Sequence, residues 1–170
     1  KQTETENPGP QIALFTGTYL VVWAGFSLLA TLAQWALTEA ALLSPMMVSS
    51  SQWLTIGLLT ACGLYQFTPL KHACLGKCRS PLGFLMTKWQ PGNLGVIRLG
   101  FSHGTFCLGC CWLLMALLFV GGVMNLIWVA LIAILVLVEK ILPRGDFLGK
   151  LGGAAMLVLA AYLVFPKLSV

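Results

Sequence analysis

From Ile12 to Leu37 the chain carries no charged residue, and four further predominantly apolar stretches follow: about Met46 to Phe67, Ile97 to Val120, Leu126 to Leu142 and Leu148 to Phe165. A helix needs about 20 apolar residues to cross the hydrocarbon of a bilayer, with every backbone group bonded inside the segment. Such stretches leave little chain for a water-soluble domain. Of the 170 residues, 58% are hydrophobic and 9% charged, against about 25% charged in an ordinary soluble domain. The expected fold is all-α: an integral membrane bundle of about five transmembrane helices with one short interfacial helix. Residues 1–11 read as a polar N-terminal tail without the features of a cleavable signal. Residues 12–166 read as a single transmembrane helical domain, and 167–170 as a C-terminal tail.

The breaks carry their own chemistry. Ser44-Pro45 ends the first stretch, Gly121-Gly122 the third, Pro143-Arg144-Gly145-Asp146 turns the fourth into the fifth, and Pro166 closes it. Residues 68–96 form the one long connection, polar and basic. Within it Ser80-Pro81 resembles a helix cap and first-turn proline. Leu82, Leu85, Met86 and Trp89 then fall on one apolar stripe, predicting an interfacial helix over 81–89.

Lys and Arg outnumber Asp and Glu by 10 to 5. With five spans, one side of the membrane collects Lys1, Lys71, Lys77, Arg79, Lys88, Arg98, Lys140, Arg144 and Lys150, and the other only Lys167. The positive-inside rule makes the first side cytoplasmic. The N-terminus is then expected in the cytoplasm and the C-terminus in the periplasm, in a bacterial inner membrane. The basic residues therefore speak for membrane orientation rather than for nucleic acid. The expected partners are the lipid bilayer and either other membrane subunits or further copies of the chain.

Five of the six cysteines lie between Cys74 and Cys111. Cys74 and Cys78 are in the 68–96 loop; His103, Cys107, Cys110 and Cys111 are on the third helix. At 100° per residue, Cys107 is rotated about 40° from His103 and Cys110 about −20°, a narrow stripe with Cys111 at its edge, about 80° round. Counting outward from Gly122, Glu139 lies as far along the fourth helix as Thr105 lies along the third. His103, Cys107, Cys110 and Glu139 are therefore expected to face one inter-helix space, near the level of Cys62. Each has a plainer reading. A membrane cysteine is commonly a small hydrophobe, a lone histidine can bond a neighbouring helix, and Glu139 beside Lys140 can mark the interface. Gly100 and Gly104 suit close helix packing. Taken together, ionisable groups and thiols inside a membrane point to function.

Thiolates with imidazole suit Zn(II) and Cu(I). Zinc would want four ligands, such as Cys74, Cys78, Cys107 and Cys110; Cu(I) accepts two or three thiolates. Neutrality in a bilayer asks two thiolates of a divalent ion and one of a monovalent ion. Reduced thiols on a cytoplasmic face favour a metal over a structural disulfide. A metal ion is the expected cofactor, with copper favoured over zinc.

The run Tyr65-Gln66-x-Thr68-Pro69-Leu70-Lys71, followed by Cys74-x-x-x-Cys78-Arg79-Ser80-Pro81, resembles a bacterial family of uncharacterised integral membrane proteins described as predicted metal-binding. The blocks Gly100-x-x-His103-Gly104-x-x-Cys107-x-Gly109-Cys110-Cys111-Trp112-x-x-Met115, Gly122-x-Met124-Asn125 and Glu139-Lys140 are similar to that family too. The resemblance covers about residues 65–140 and implies Cys74, Cys78, His103, Cys107, Cys110, Cys111 and Glu139 as the metal positions. The function expected is copper handling, as a chaperone, transporter or accessory protein. Alternatives are a structural subunit of a larger membrane complex and a thiol–disulfide oxidoreductase using Cys107-x-x-Cys110. No nucleotide loop, catalytic triad or carboxylate pair supports a hydrolase or ATPase.

Overall fold

A computed structural model describes residues 9–44, 46–80, 83, 86 and 92–168. They form six helices: α1 Gly9–Glu39, α2 Gln52–Tyr65, α3 Pro69–Arg79, α4 Asn93–Ala116, α5 Leu126–Ile141 and α6 Gly145–Leu168. After Leu117, α4 continues for one further turn, Leu118–Gly121. No strand occurs among the described residues; Leu43 and Ser49 make an isolated bridge.

The all-helical class agrees with the sequence, but the expectation of five spans is corrected. Three helical segments, Gly9–Glu39, Asn93–Gly121 and Gly145–Phe165, are long and apolar enough to cross a membrane. At 14 and 16 residues, α2 and α5 fall short of the ~20 a span asks. Their ends are set by caps. Ser51 accepts from the Leu54 amide and starts α2 well after Met46. Asn125 accepts from the Trp128 amide and starts α5. The sixth helix, α3, lies in the loop read as merely polar. Thr68 accepts from the Lys71 amide, Pro69 occupies the first turn, and Lys77 and Arg79 sit in the last. The helix expected over 81–89 lies outside the described residues apart from Gly83 and Met86, both helical. At the C-terminal end α6 runs on to Leu168 rather than stopping before Pro166.

Packing partners fix the helix directions. Gly100 lies against Phe15 and Thr18, and Gly104 against Val22, so α1 and α4 run parallel with their backbones close. Gly63 meets Leu157 and Gly153, and Gln52 donates to the Leu163 carbonyl at 2.7 Å, so α2 and α6 are antiparallel. Trp128 donates to the Leu117 carbonyl at 2.8 Å while Lys140 reaches Cys107, so α4 and α5 are antiparallel.

The buried core joins Leu59 and Cys62 of α2, Leu75 of α3, Leu114 of α4, Ile132 and Val136 of α5 and Ala160 of α6. By contrast α1 has no buried residue. It touches α4 along one line and presents Leu20, Val21, Leu28, Leu29 and Trp35 outward.

Candidate thiol site

Cys74 and Cys78 are four residues apart on α3 and so share a face of that helix. The face meets α4. Cys74 Sγ lies where a Cβ on Gly109 would be 2.9 Å away, so the missing side chain of Gly109 is what lets α3 approach. One turn on, Cys78 lies beside Cys107 and Cys110 of α4. Cys111 follows Cys110 directly on α4. Within α4, Cys110 donates to the Cys107 carbonyl at 3.0 Å and Cys111 to the same oxygen at 3.3 Å. Cys107, Cys110 and Cys111 are buried and Cys78 is half-buried. All six cysteines are free thiols. Burial pushes the Cys74 thiol above its ordinary range, against a smaller opposing pull from Lys77.

Two other helices reach the cluster. Tyr19 of α1 hydrogen-bonds Cys107 Sγ at 3.4 Å, and Lys140 of α5 donates to the same sulfur at 3.2 Å. The outer edge of α3 is held by Lys77, whose ammonium lies 4.1 Å above the Phe106 ring.

The remaining sequence candidates go elsewhere. His103 packs against the rings of Phe15 and Tyr19, each centroid 6.0 Å away, and so faces α1. Glu139 accepts from Lys71 at 2.7 Å and from the Gln66 amide at 3.0 Å, and Lys71 also donates to the Gln66 carbonyl oxygen. Both charged side chains are almost fully buried, at 4% and 2% exposure, and Gly149 leaves room for the carboxylate. Asp146, half-exposed nearby, faces His72 and Arg79 at 3.5 Å each.

The expectation that His103, Cys107, Cys110 and Glu139 share one inter-helix space is therefore corrected. Depth counting from Gly122 gives the right height, since Lys140 sits level with Cys107. It says nothing of direction around the helix. Consecutive residues point about 100° apart, and it is Lys140 that faces the thiols. Lys140 and Tyr19 contact the thiols, and Lys71 and Gln66 hold Glu139; reading the sequence gave none of the four that place. Lys71, Gln66 and Lys140 all stood inside family-like blocks, and Lys140 looked like a helix-end charge. Among the described residues no group of three or more His, Cys, Asp or Glu side chains is arranged to hold a metal ion. The contact of Cys78 with Cys107 and Cys110 brings two helices' thiols together, and two-coordinate Cu(I) asks for no third donor. Soft donors of this type fit Cu(I).

A family model described as PpoB2, copper chaperone, matches residues 1–163. No curated protein and no solved structure matches the chain.

Proposed function

The chain belongs to the PpoB2 family of copper chaperones, and from that premise we propose that it is a membrane-embedded protein carrying Cu(I) on thiols shared between α3 and α4. The observation that carries the reading is the meeting of Cys78 with Cys107 and Cys110. Copper here is cargo. On loading, two thiols release their protons to solvent as two Cu–S bonds form, with no change in oxidation state. Cys110 and Cys111, adjacent in the chain and both bonded to the Cys107 carbonyl, offer neighbouring sulfurs for exchange. An acceptor's thiol can then replace one ligand at a time, so the ion is never free. Cys74, one turn along α3, is a reserve donor. His103 shapes the α1 side, and Glu139 holds α3 rather than the ion.

The membrane setting is supported by the three helical segments of spanning length and by the apolar face of α1 that no other described helix covers. In this reading α1, α4 and α6 leave the cytoplasmic side of a bacterial inner membrane, where the basic residues collect, and the shorter α2 and α5, with the turns that flank them, bring the chain back. The uncovered face of α1 meets lipid, a second copy or another membrane subunit.

The test is Cu(I) titration of the full chain in detergent, anaerobic and reduced, against a chromophoric Cu(I) chelator. Wild type is expected to take up about one ion per chain. Cys78→Ser and Cys107→Ser should each weaken binding at least about tenfold, the scale seen even for groups one shell out. A protein that binds no copper and cycles a Cys107–Cys110 disulfide, trapped as mixed disulfides in Cys110→Ser, would overturn the copper reading.

A further inference from the structure

We infer that Lys140 is the specificity-determining residue of the thiol site, its fixed positive charge matching the site to a monovalent soft cation held by two thiolates. The inference rests on the copper reading above and deepens it.

Lys140 Nζ lies 3.2 Å from Cys107 Sγ and within electrostatic range of Cys78, Cys110 and Cys111 as well. The side chain is half-buried, and a sheltered ammonium is costly unless an anion answers it. Among the described carboxylates none is placed to do so. Glu39 ends α1, Glu139 is taken by Lys71, and Asp146 faces Arg79 and His72. Among the described residues the groups facing the ammonium that can become negative are the four thiols and the Tyr19 phenol, which is the weaker acid.

This changes the charge count. Without Lys140, one thiolate neutralises a monovalent ion and two neutralise a divalent one. With it, each requirement rises by one. Cu(I) bound by two thiolates carries a single negative charge, and Lys140 cancels it. Two is also a coordination number that Cu(I) accepts. Zinc bound by two thiolates is neutral, so the ammonium is left unanswered. Zinc bound by four carries two negative charges, and one survives. Three thiolates would balance zinc and Lys140 but leave tetrahedral zinc one donor short, and His103 is turned toward Phe15 and Tyr19. Loading with Cu(I) thus converts a site with an uncompensated cation into a neutral one. Two S–H protons leave, two Cu–S bonds form, and Lys140 keeps its charge throughout.

The experiment uses the full chain in detergent and measures Cu(I) and Zn(II) affinity side by side for wild type, Lys140→Met and Lys140→Arg. Lys140→Met, similar in shape but uncharged, is expected to lower Cu(I) affinity at least about tenfold, a conservative figure for losing a charge at this distance. It should leave Zn(II) affinity unchanged or raised. Lys140→Arg should keep the wild-type preference. Unchanged Cu(I) affinity in Lys140→Met, or an equal loss for both metals, overturns the inference while the copper reading stands. Wild type that binds no Cu(I) overturns both. Should Lys140→Met not fold, X-ray absorption of the Cu(I)-loaded wild type decides. Two sulfur neighbours around copper support the inference, and three or four overturn it.

Discussion

On one side of α5, Glu139 lies in a closed cluster in which Lys71 and Gln66 fill its oxygens; on the other, Lys140 faces thiols that carry no fixed charge. The two residues are adjacent in sequence and both sit at the end of one helix, yet they serve opposite purposes. The first cluster is complete as it stands. It ties α3 to α5 and the end of α2, and its two charges answer each other. On the proposed reading the second is complete only when thiolates form. A satisfied ion pair is suited to holding an element in place, whereas a cation beside neutral soft donors is suited to receiving a ligand. Together they place α3 over α4 by one contact and prepare the place where the two meet by the other.

The comparison can be broken by removing charges from each side. The largest effect is expected from Glu139→Ala or Lys71→Ala, each of which strands a buried charge at a cost of about 3–5 kcal/mol. Thermal unfolding in detergent should show it, and Lys71→Met combined with Glu139→Leu should recover most of the loss. Cys107→Ser, on the open side, should change stability by less than about 1 kcal/mol while weakening copper binding. If the Glu139 and Cys107 variants unfold alike, the distinction between a holding cluster and a receiving one is wrong.

A smaller effect tests whether α1 belongs to the thiol side. A Cβ at Gly100 would collide with Thr18 and the Phe15 carbonyl, so Gly100→Ala should push α1 away at about 1–3 kcal/mol. Tyr19 would then lose Cys107, and copper affinity should fall with stability. Full affinity in a destabilised Gly100→Ala protein would remove α1 from the site.

The smallest effect sharpens the role of α3. Thr68→Ala removes its N-cap, worth about 1 kcal/mol. Fraying of α3 from its first turn should expose Cys74, so maleimide labelling of Cys74, followed by mass spectrometry, should quicken in Thr68→Ala. An unchanged rate would mean that Lys71–Glu139 holds α3 without the cap.

The sequence by itself determined the all-helical class, because long apolar runs with few charges leave the backbone no other way to bond itself. It determined the breaks at Gly121-Gly122 and Pro143, where φ freedom or a missing amide ends a helix, and Gly122 does take a φ of +88°. It placed Cys107 and Cys110 on one stripe of α4 and brought the end of α5 level with Cys107, since rise and turn per residue are fixed by the hydrogen bonding of any helix. It also marked Gly100 and Gly104 as contact points. It did not disclose that 69–79 is a helix, because the signals there are a cap and a proline rather than an apolar run. The serines before α2 likewise shorten a helix that hydropathy extends. Only the tertiary structure decided which of Glu139 and Lys140 meets the thiols, that His103 turns to α1, and that Cys78 closes on Cys107 and Cys110. Those are matters of rotation about helix axes and of which helix packs where. Counting residues along one helix fixes height, but azimuth is set by the neighbours it packs against.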